Sequence, residues 1–176
     1  MLLIRPPAPA DPSPPPAGIA LRAPTPEDIE PLGRTYFASY PPGVACATEP
    51  EAIEDIRRTY AGEYGVLDLA ASRVAIDQTD SRSDTTNAVP DHRGFLAVDL
   101  QPIVGAALVV ERGPWDDAPD CPFLIEVFTH PTHRRQGLAQ ALLTTCLTPD
   151  APLALRVQDN NTPAIALYQR LGFRPS

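Results

Sequence analysis

The sequence predicts a mixed α/β fold: a mainly antiparallel central sheet flanked by helices, with a β-α-β-α half at the C-terminus. Three observations predict it. Apolar, β-branched runs recur in the middle of the chain, as at Ile103–Val110 and Phe123–Thr129, which is the pattern of buried strands. Gly137–Leu147 then places Leu138, Leu142 and Cys146 on one helical face, with Leu143 and Leu147 beside it. Leu153–Val157 and a helix opening at Thr162-Pro163 repeat the strand-helix order.

From the N-terminus, Met1–Gly18 is Pro/Ala-rich and is expected as a flexible arm, followed by one domain over 19–176. Ile19–Arg22 reads as a short strand. Thr25 then caps a helix with Pro26 in its first position and Glu27 and Asp28 in its first turn. That helix runs towards Tyr40 and stops before Pro41-Pro42-Gly43. A second helix starts near Thr48–Glu51 and runs to about Tyr60. Acidic residues dominate from Thr25 to Asp77, so this region is expected to form an acidic wall of any site. Ser72–Ile76 reads as a strand and Gln78–Arg93 as a polar loop insertion. Phe95–Leu100 and Ile103–Val110 are expected to form a hairpin around Gln101-Pro102. Gly113–Pro122 is a loop carrying Trp115-Asp116-Asp117. The last helix takes Thr162 as its cap and has Gly172 just past its end.

Bulk properties narrow the function. A chain of 176 residues is a prior of one domain with a sizeable core. A net charge of −8 argues against nucleic-acid binding and fits a cationic small substrate, although a solvated acidic surface has the same composition. All fourteen basic residues are arginine. Cys46, Cys121 and Cys146 are odd in number and widely spaced, which argues for a reducing, cytoplasmic setting. No apolar run is long enough for a transmembrane helix, and no membrane partner is expected.

The chemistry concentrates in Phe123-Leu-Ile-Glu-Val-Phe-Thr-His-Pro-Thr-His-Arg-Arg-Gln-Gly-Leu-Ala139. A strand leads into a basic turn, and the turn opens an amphipathic helix. A helix N-terminus leaves N–H groups free and carries about half a positive charge, so it attracts anions. Gly137 permits close approach of a ligand, and Arg134 and Arg135 add charge. A phosphate-bearing ligand at Arg134–Ala139 follows from this, and a plain basic loop is the competing reading. His130 and His133 form H-x-x-H without further ligands at suitable spacing, so no metal is expected.

The turn Arg134-Arg135-Gln136-Gly137-Leu138-Ala139 resembles the R/Q-x-x-G-x-G/A signature of the GNAT superfamily of acyl-CoA-dependent N-acetyltransferases. Pro131 and Arg134 match its P-x-x-R lead-in. Asn161-Thr-Pro-Ala164-Ile-Ala-Leu167-Tyr168-Gln-Arg-Leu-Gly172-Phe173 is similar to its N-x-x-A-x-x-L-Y-x-x-x-G-F segment. Both blocks fall in the family's order with one strand between them. The resemblance implies a GNAT-like sheet with its cofactor half at the C-terminus, and acetyl-CoA as co-substrate. It implies that the backbone of Val127 and Thr129 pairs with the pantetheine arm and that N–H groups from Arg135 to Ala139 hold the pyrophosphate. It places Asn161 near the pantetheine and Tyr168 near the acyl sulfur, as acid to the leaving thiolate. The donor to the oxyanion would be the N–H of Phe128 or Thr129.

Glu126 interrupts an otherwise apolar strand, where a carboxylate is costly unless paired or facing a cleft. Alternation places it opposite Ile125 and Val127, and it is the candidate general base. A salt-bridged edge glutamate is the alternative, as a core aromatic is for Tyr168. Ala139 replaces the family's last signature glycine. The family also continues past G-F with further strands, whereas here only Arg174-Pro175-Ser176 follow. A partner subunit in a homodimer, or Leu2-Leu3-Ile4 folding back, would supply the missing strand. The implied reaction is acetyl transfer by direct attack of a small, cationic primary amine. A non-catalytic acyl-CoA-binding sensor and a protein N-acetyltransferase are the competing functions.

Overall fold

The structure is a computed structural model that describes residues 1–41, 43–79 and 102–176. Its strands are β1 (Leu2–Arg5), β2 (Ile19–Arg22), β3 (Arg73–Asp77), β4 (Ile103–Val110), β5 (Phe123–Thr129), β6 (Leu153–Arg156) and β7 (Arg174–Pro175). Its helices are α1 (Ile29–Ala38), α2 (Glu49–Tyr60), α3 (Leu138–Cys146) and α4 (Thr162–Arg170). The strands form one sheet in the order β2-β3-β4-β5-β6-β1-β7. Every neighbouring pair is antiparallel except β5 and β6. The expected hairpin between Phe95–Leu100 and β4, and most of the Gln78–Arg93 insertion, lie outside the described residues.

Two apolar layers sandwich the sheet. On one face, Leu32 and Tyr36 of α1 and Ala52 and Ile56 of α2 pack over Val74, Ala106, Leu108 and Phe128. The other face carries Leu138, Leu142 and Cys146 of α3 and Tyr168 of α4, packed over Ala75, Ala107, Val109 and Leu155. The split follows from strand alternation, which sends Ala106 one way and Ala107 the other.

Local signals place the helices. Thr48 Oγ1 accepts from the Glu51 N–H at 3.4 Å, Glu49 and Glu51 lie in the first turn of α2, and Arg57 and Arg58 lie in its last. Asp28 starts α1 and is buried, yet paired: Arg22 donates to both its oxygens at 2.6 and 2.7 Å, and the Thr25 N–H donates at 2.7 Å. α1 and α2 cross at Gly33, where a Cβ would lie 2.5 Å from the Ile53 backbone. α1 ends at Ala38, short of the expected Tyr40. α4 is capped one residue earlier than expected: Asn161 Oδ1 accepts from the Ala164 N–H at 3.3 Å.

The N-terminal arm needs correction. Leu2–Arg5 is a strand, inserted between β6 and β7. Leu2 pairs with Arg156 and Arg5 with Leu153, while Ile4 pairs with Arg174 on the other side. Leu3 is fully buried in the α3/α4 layer. Of the two expected alternatives, the structure shows the fold-back of Leu2-Leu3-Ile4 beside β6, and Arg174–Pro175 follows Phe173 as β7 on the other side of β1. Arg5 is 5% exposed and locks the segment down. Its Nε donates to the Leu171 carbonyl at the end of α4 at 2.9 Å, and Nη2 donates to the Ala8 and Pro9 carbonyls at 2.9 and 3.1 Å. Its charge also complements the negative end of α4. Replacing Arg5 with Ala removes the donor of four part-buried hydrogen bonds to carbonyls and the buried side chain itself, so Arg5→Ala is expected to destabilise the fold by about 2–4 kcal/mol. The midpoint of a denaturant titration checks this, and a loss below about 0.5 kcal/mol would contradict it.

Candidate active site

A cleft opens where β5 and β6 part. The two strands pair only through Phe123 with Ala154 and Leu124 with Leu155. At the next residue β5 bulges: Val109 faces Leu124 and Leu108 faces Glu126, so Ile125 has no partner across the ladder. A bulge bends its strand, and the bend carries β5 away from β6. It also corrects the expected alternation. Ile125 and the Glu126 carboxylate both lie on the α1/α2 face, while Val127 packs into the opposite layer.

The ladder decides which backbone groups the cleft receives. The His130 N–H donates to the Val104 carbonyl at 2.8 Å. In an antiparallel pair every second residue points the same way. Phe128 therefore turns its N–H and C=O towards β4, opposite Ala106, and Val127 and Thr129 turn theirs towards the cleft. Of the two donors considered for an oxyanion, the Phe128 N–H is used by the sheet and the Thr129 N–H is presented to the cleft. Thr129 Oγ1 is also buried there without a hydrogen-bond partner among the described residues.

The turn after β5 is built for an anion. Arg135 at φ 64° and Gly137 at φ 85° are both left-handed, and Gly137 caps α3. The first intrahelical bond is from Ala141 to Gly137, leaving the N–H groups of Leu138, Ala139 and Gln140 without helical partners. A Cβ on Gly137 would meet nothing within 4 Å, so the space above the helix end is open. Leu138 anchors the helix with a buried side chain and offers only its backbone. Arg134 is tied down: Nε donates to the Thr129 carbonyl at 3.2 Å and Nη2 to the Ser39 carbonyl at 2.5 Å. Its role is to fix the turn against β5 and α1. Gln136 donates to the Thr132 carbonyl at 3.2 Å, whereas Arg135 is exposed and makes no hydrogen bond among the described residues. The cleft lined by this turn, the β5 edge and α4 encloses about 860 Å³.

A second pocket of about 460 Å³ adjoins it, with Tyr36, Glu126 and Arg156 in its wall. Tyr40, Val127, Asn161 and Tyr168 line both spaces. Tyr168 is buried and sits edge-to-face on Phe173, with ring centres 5.8 Å apart. Burial, and then the nearby Glu126 charge, push its phenol up to about 12. Glu126 accepts from Tyr40 Oη at 3.1 Å and from Tyr36 Oη at 3.5 Å. Burial pushes its carboxyl up to about 7, and the Tyr40 hydrogen bond holds it from rising further. Neither tyrosine was expected at the site, although their i, i+4 spacing places both on one face of α1.

The other candidates differ in place: His133 also lines the larger cleft, and His130 does not. His133 Nε2 sits 3.1 Å from Asp77 Oδ2, and both histidines share the Thr132 hydroxyl. The expected acidic wall is consumed locally: Glu49 pairs with Arg34, Glu54 with Arg57 and Asp55 with Arg58, and none lines either pocket. Trp115 lies under the Arg156 guanidinium, 4.7 Å from its ring centre.

Known proteins show the same architecture. A GCN5-related N-acetyltransferase from Sphaerobacter thermophilus is 18% identical with a TM-score of 0.62, over 98% of this chain and 47% of that one. This chain thus spans about half the length of that protein. PH1933 from Pyrococcus horikoshii OT3 is 16% identical with a TM-score of 0.61, over 90% of each chain. AAC(6')-Iy, solved with the bisubstrate analogue CoA-S-monomethyl-acetylneamine, is 16% identical with a TM-score of 0.55, over 89% of this chain and 91% of that one. No match is found among curated protein sequences. At these identities the likenesses show a shared fold. The sequence profile of the acetyltransferase (GNAT) family matches residues 53–173, well over half of the chain. It takes in the β5 bulge, the left-handed turn, α3 and Tyr168, and on that match the chain belongs to the acetyltransferase (GNAT) family.

Proposed function

We propose that the protein moves an acetyl group from acetyl-CoA to the primary amine of a small acceptor. The observation that carries this reading is the junction of the two pockets. Tyr168 lines both, and a buried carboxylate, Glu126, lies in the wall of the second. A thioester in the larger cleft and an amine in the smaller pocket would meet beside Tyr168. The CoA–aminoglycoside analogue bound by AAC(6')-Iy supports a small-molecule acceptor.

The larger cleft suits the co-substrate. The cleft-facing N–H and C=O groups of Val127 can pair with an amide-bearing arm as an added strand would, which leaves the Thr129 N–H for the reaction. The N–H groups from Arg135 to Ala139, with the Arg135 charge, suit a pyrophosphate. The Asn161 amide, whose oxygen caps α4, has its NH₂ left for the pantetheine.

In the reaction, an amine with a pKa near 10 is about one part in a thousand neutral at pH 7. Glu126, ionised, takes the proton from the ammonium, directly or through a water. The freed nitrogen attacks the thioester carbonyl, and the Thr129 N–H stabilises the oxyanion that forms. Collapse breaks the C–S bond, the Tyr168 hydroxyl gives its proton to the departing sulfur, and the proton still carried by the amide nitrogen passes to the phenolate, directly or through a water. A phenol held at about 12 keeps its proton throughout the working range, as an acid must.

Three outcomes test this. Gly137→Glu forces a side chain at φ 85° and puts a negative charge in the anion turn, and is expected to weaken acetyl-CoA binding by on the order of 100-fold or more in calorimetry. Tyr168→Phe is expected to lower kcat by about 10- to 100-fold with acetyl-CoA affinity kept, because a thiolate leaves well even unassisted. The third is the pH profile. The Glu126 carboxyl is protonated and inactive below its pKa of about 7, so kcat/KM should climb as pH rises through 7. Glu126→Gln should abolish that limb and lower kcat/KM at pH 8 by about 100-fold. A Glu126→Gln profile that still climbs through pH 7 would remove Glu126 as the base.

A further inference from the structure

The second pocket has an uneven charge pattern. Among the described residues, Glu126 and Arg156 are the two charged side chains that line it. They stand on neighbouring strands that diverge just below them, β5 and β6. Leu155 packs in the α3/α4 layer, so strand alternation sends Arg156 to the opposite face, where Glu126 also projects. The α2 acids that favoured a cationic acceptor stay out of the pocket: Glu54 and Asp55 pair with arginines of their own helix, Glu49 pairs with Arg34 of α1, and Glu51 accepts from the Ala47 N–H.

Arg156 is held like a recognition group. Its guanidinium stacks on Trp115, 4.7 Å from the ring centre, and Nη2 donates to the exposed carboxylate of Asp117. Stacking fixes the plane of the fork, and Asp117 fixes its rotation. The Nε and Nη1 donors make no hydrogen bond among the described residues. Asp117 is 75% exposed, and a surface pair of this kind yields readily to a better-placed anion. An arginine oriented in this way suits a planar carboxylate, which it can hold through two parallel N–H donors.

We propose that the acceptor is an amine carrying a carboxylate, of amino-acid type, with its amino group towards Glu126 and its carboxylate on Arg156. The assignment rests on the acetyl-transfer reading for which end reacts, but the two can fail separately. Glu126 and the hydroxyls of Tyr36 and Tyr40 receive the amino end, Tyr168 stands at the opening to the thioester, and Trp115 forms a shelf under the carboxylate end. The pocket then selects against amines whose far end is neutral or positive.

The test compares three matched ligands: an amino acid, its amide, and the amine lacking the carboxyl group. Binding is measured by calorimetry on the full chain saturated with CoA, and acetylation with acetyl-CoA is measured in parallel. The amino acid is expected to bind best. Arg156→Gln should weaken that binding by about 10- to 100-fold and leave the amide and the amine unchanged. Asp117→Asn should strengthen it by removing the competing carboxylate. Unchanged CoA affinity and Tm show that the variants fold. If the amide or the plain amine binds as well as the amino acid, or if neither variant alters the preference, the proposal is overturned. If the amino acid binds through Arg156 but is never acetylated, the carboxylate site stands and the acetyl-transfer reading falls.

Discussion

The site depends on one constraint: β5 and β6 may pair for two residues and no further. Parallel neighbours normally continue their ladder, and an interrupted ladder leaves backbone N–H and C=O groups exposed at a cost. The bulge at Ile125 enforces the interruption. Its effects reach in two directions. Towards the α3/α4 face, the cleft-facing groups of Val127 and Thr129 become a free strand edge in the middle of a sheet, sheltered from chance pairing by the flanking helices. Towards the α1/α2 face, the shift of phase swings Glu126 under Tyr36 and Tyr40. One extra residue in one strand thus makes both the binding edge and the chemical pocket.

Electrostatics follow from that geometry more than from net charge. The chain carries −8 overall, yet the larger cleft is lined by Arg134, Arg135 and Arg170 and ends on the positive pole of α3. The surplus of acid is spread over α1, α2 and the loops, largely in i, i+3 and i, i+4 pairs that stabilise helices. Glu126 differs because, among the described residues, it has no cation partner and its donors are two phenols. That is why burial moves its titration to about 7 rather than below the ordinary carboxylate range.

Much of this was legible in the sequence. The spacing of Leu138, Leu142 and Cys146 announced α3, and Gly137 announced the helix start, because both are local patterns tied to backbone geometry. The glycine at the left-handed turn before α3 was legible for the same reason. Three features were not. A bulge leaves no mark in the run Phe123–Phe128, where apolar residues stand on both sides of Glu126, so Glu126 was placed opposite Ile125. The roles of Tyr36 and Tyr40 depend on how α1 lies over β5, a contact across about ninety residues of sequence. The acidic wall failed because composition does not reveal pairing: Glu54 and Asp55 had an arginine three residues on, and Glu49 met Arg34 of α1.

The position of β1 has a consequence for how the chain reaches its native state. Its partners are Leu153–Arg156 on one side and Arg174–Pro175 on the other, so β1 waits for two strands about 150 to 170 residues further along the chain. Contacts this distant in sequence raise the contact order and slow the closing step of folding. During synthesis, β2, β3 and β4 can assemble while Leu2–Arg5 stays unpaired, an apolar segment held away from the ribosome exit by a proline-rich leash. Extended prolines hinder helix formation and early burial in that leash, so the segment remains available. The larger cleft, which lies between β5 and β6, is therefore framed only after β1 has met β6 and β7.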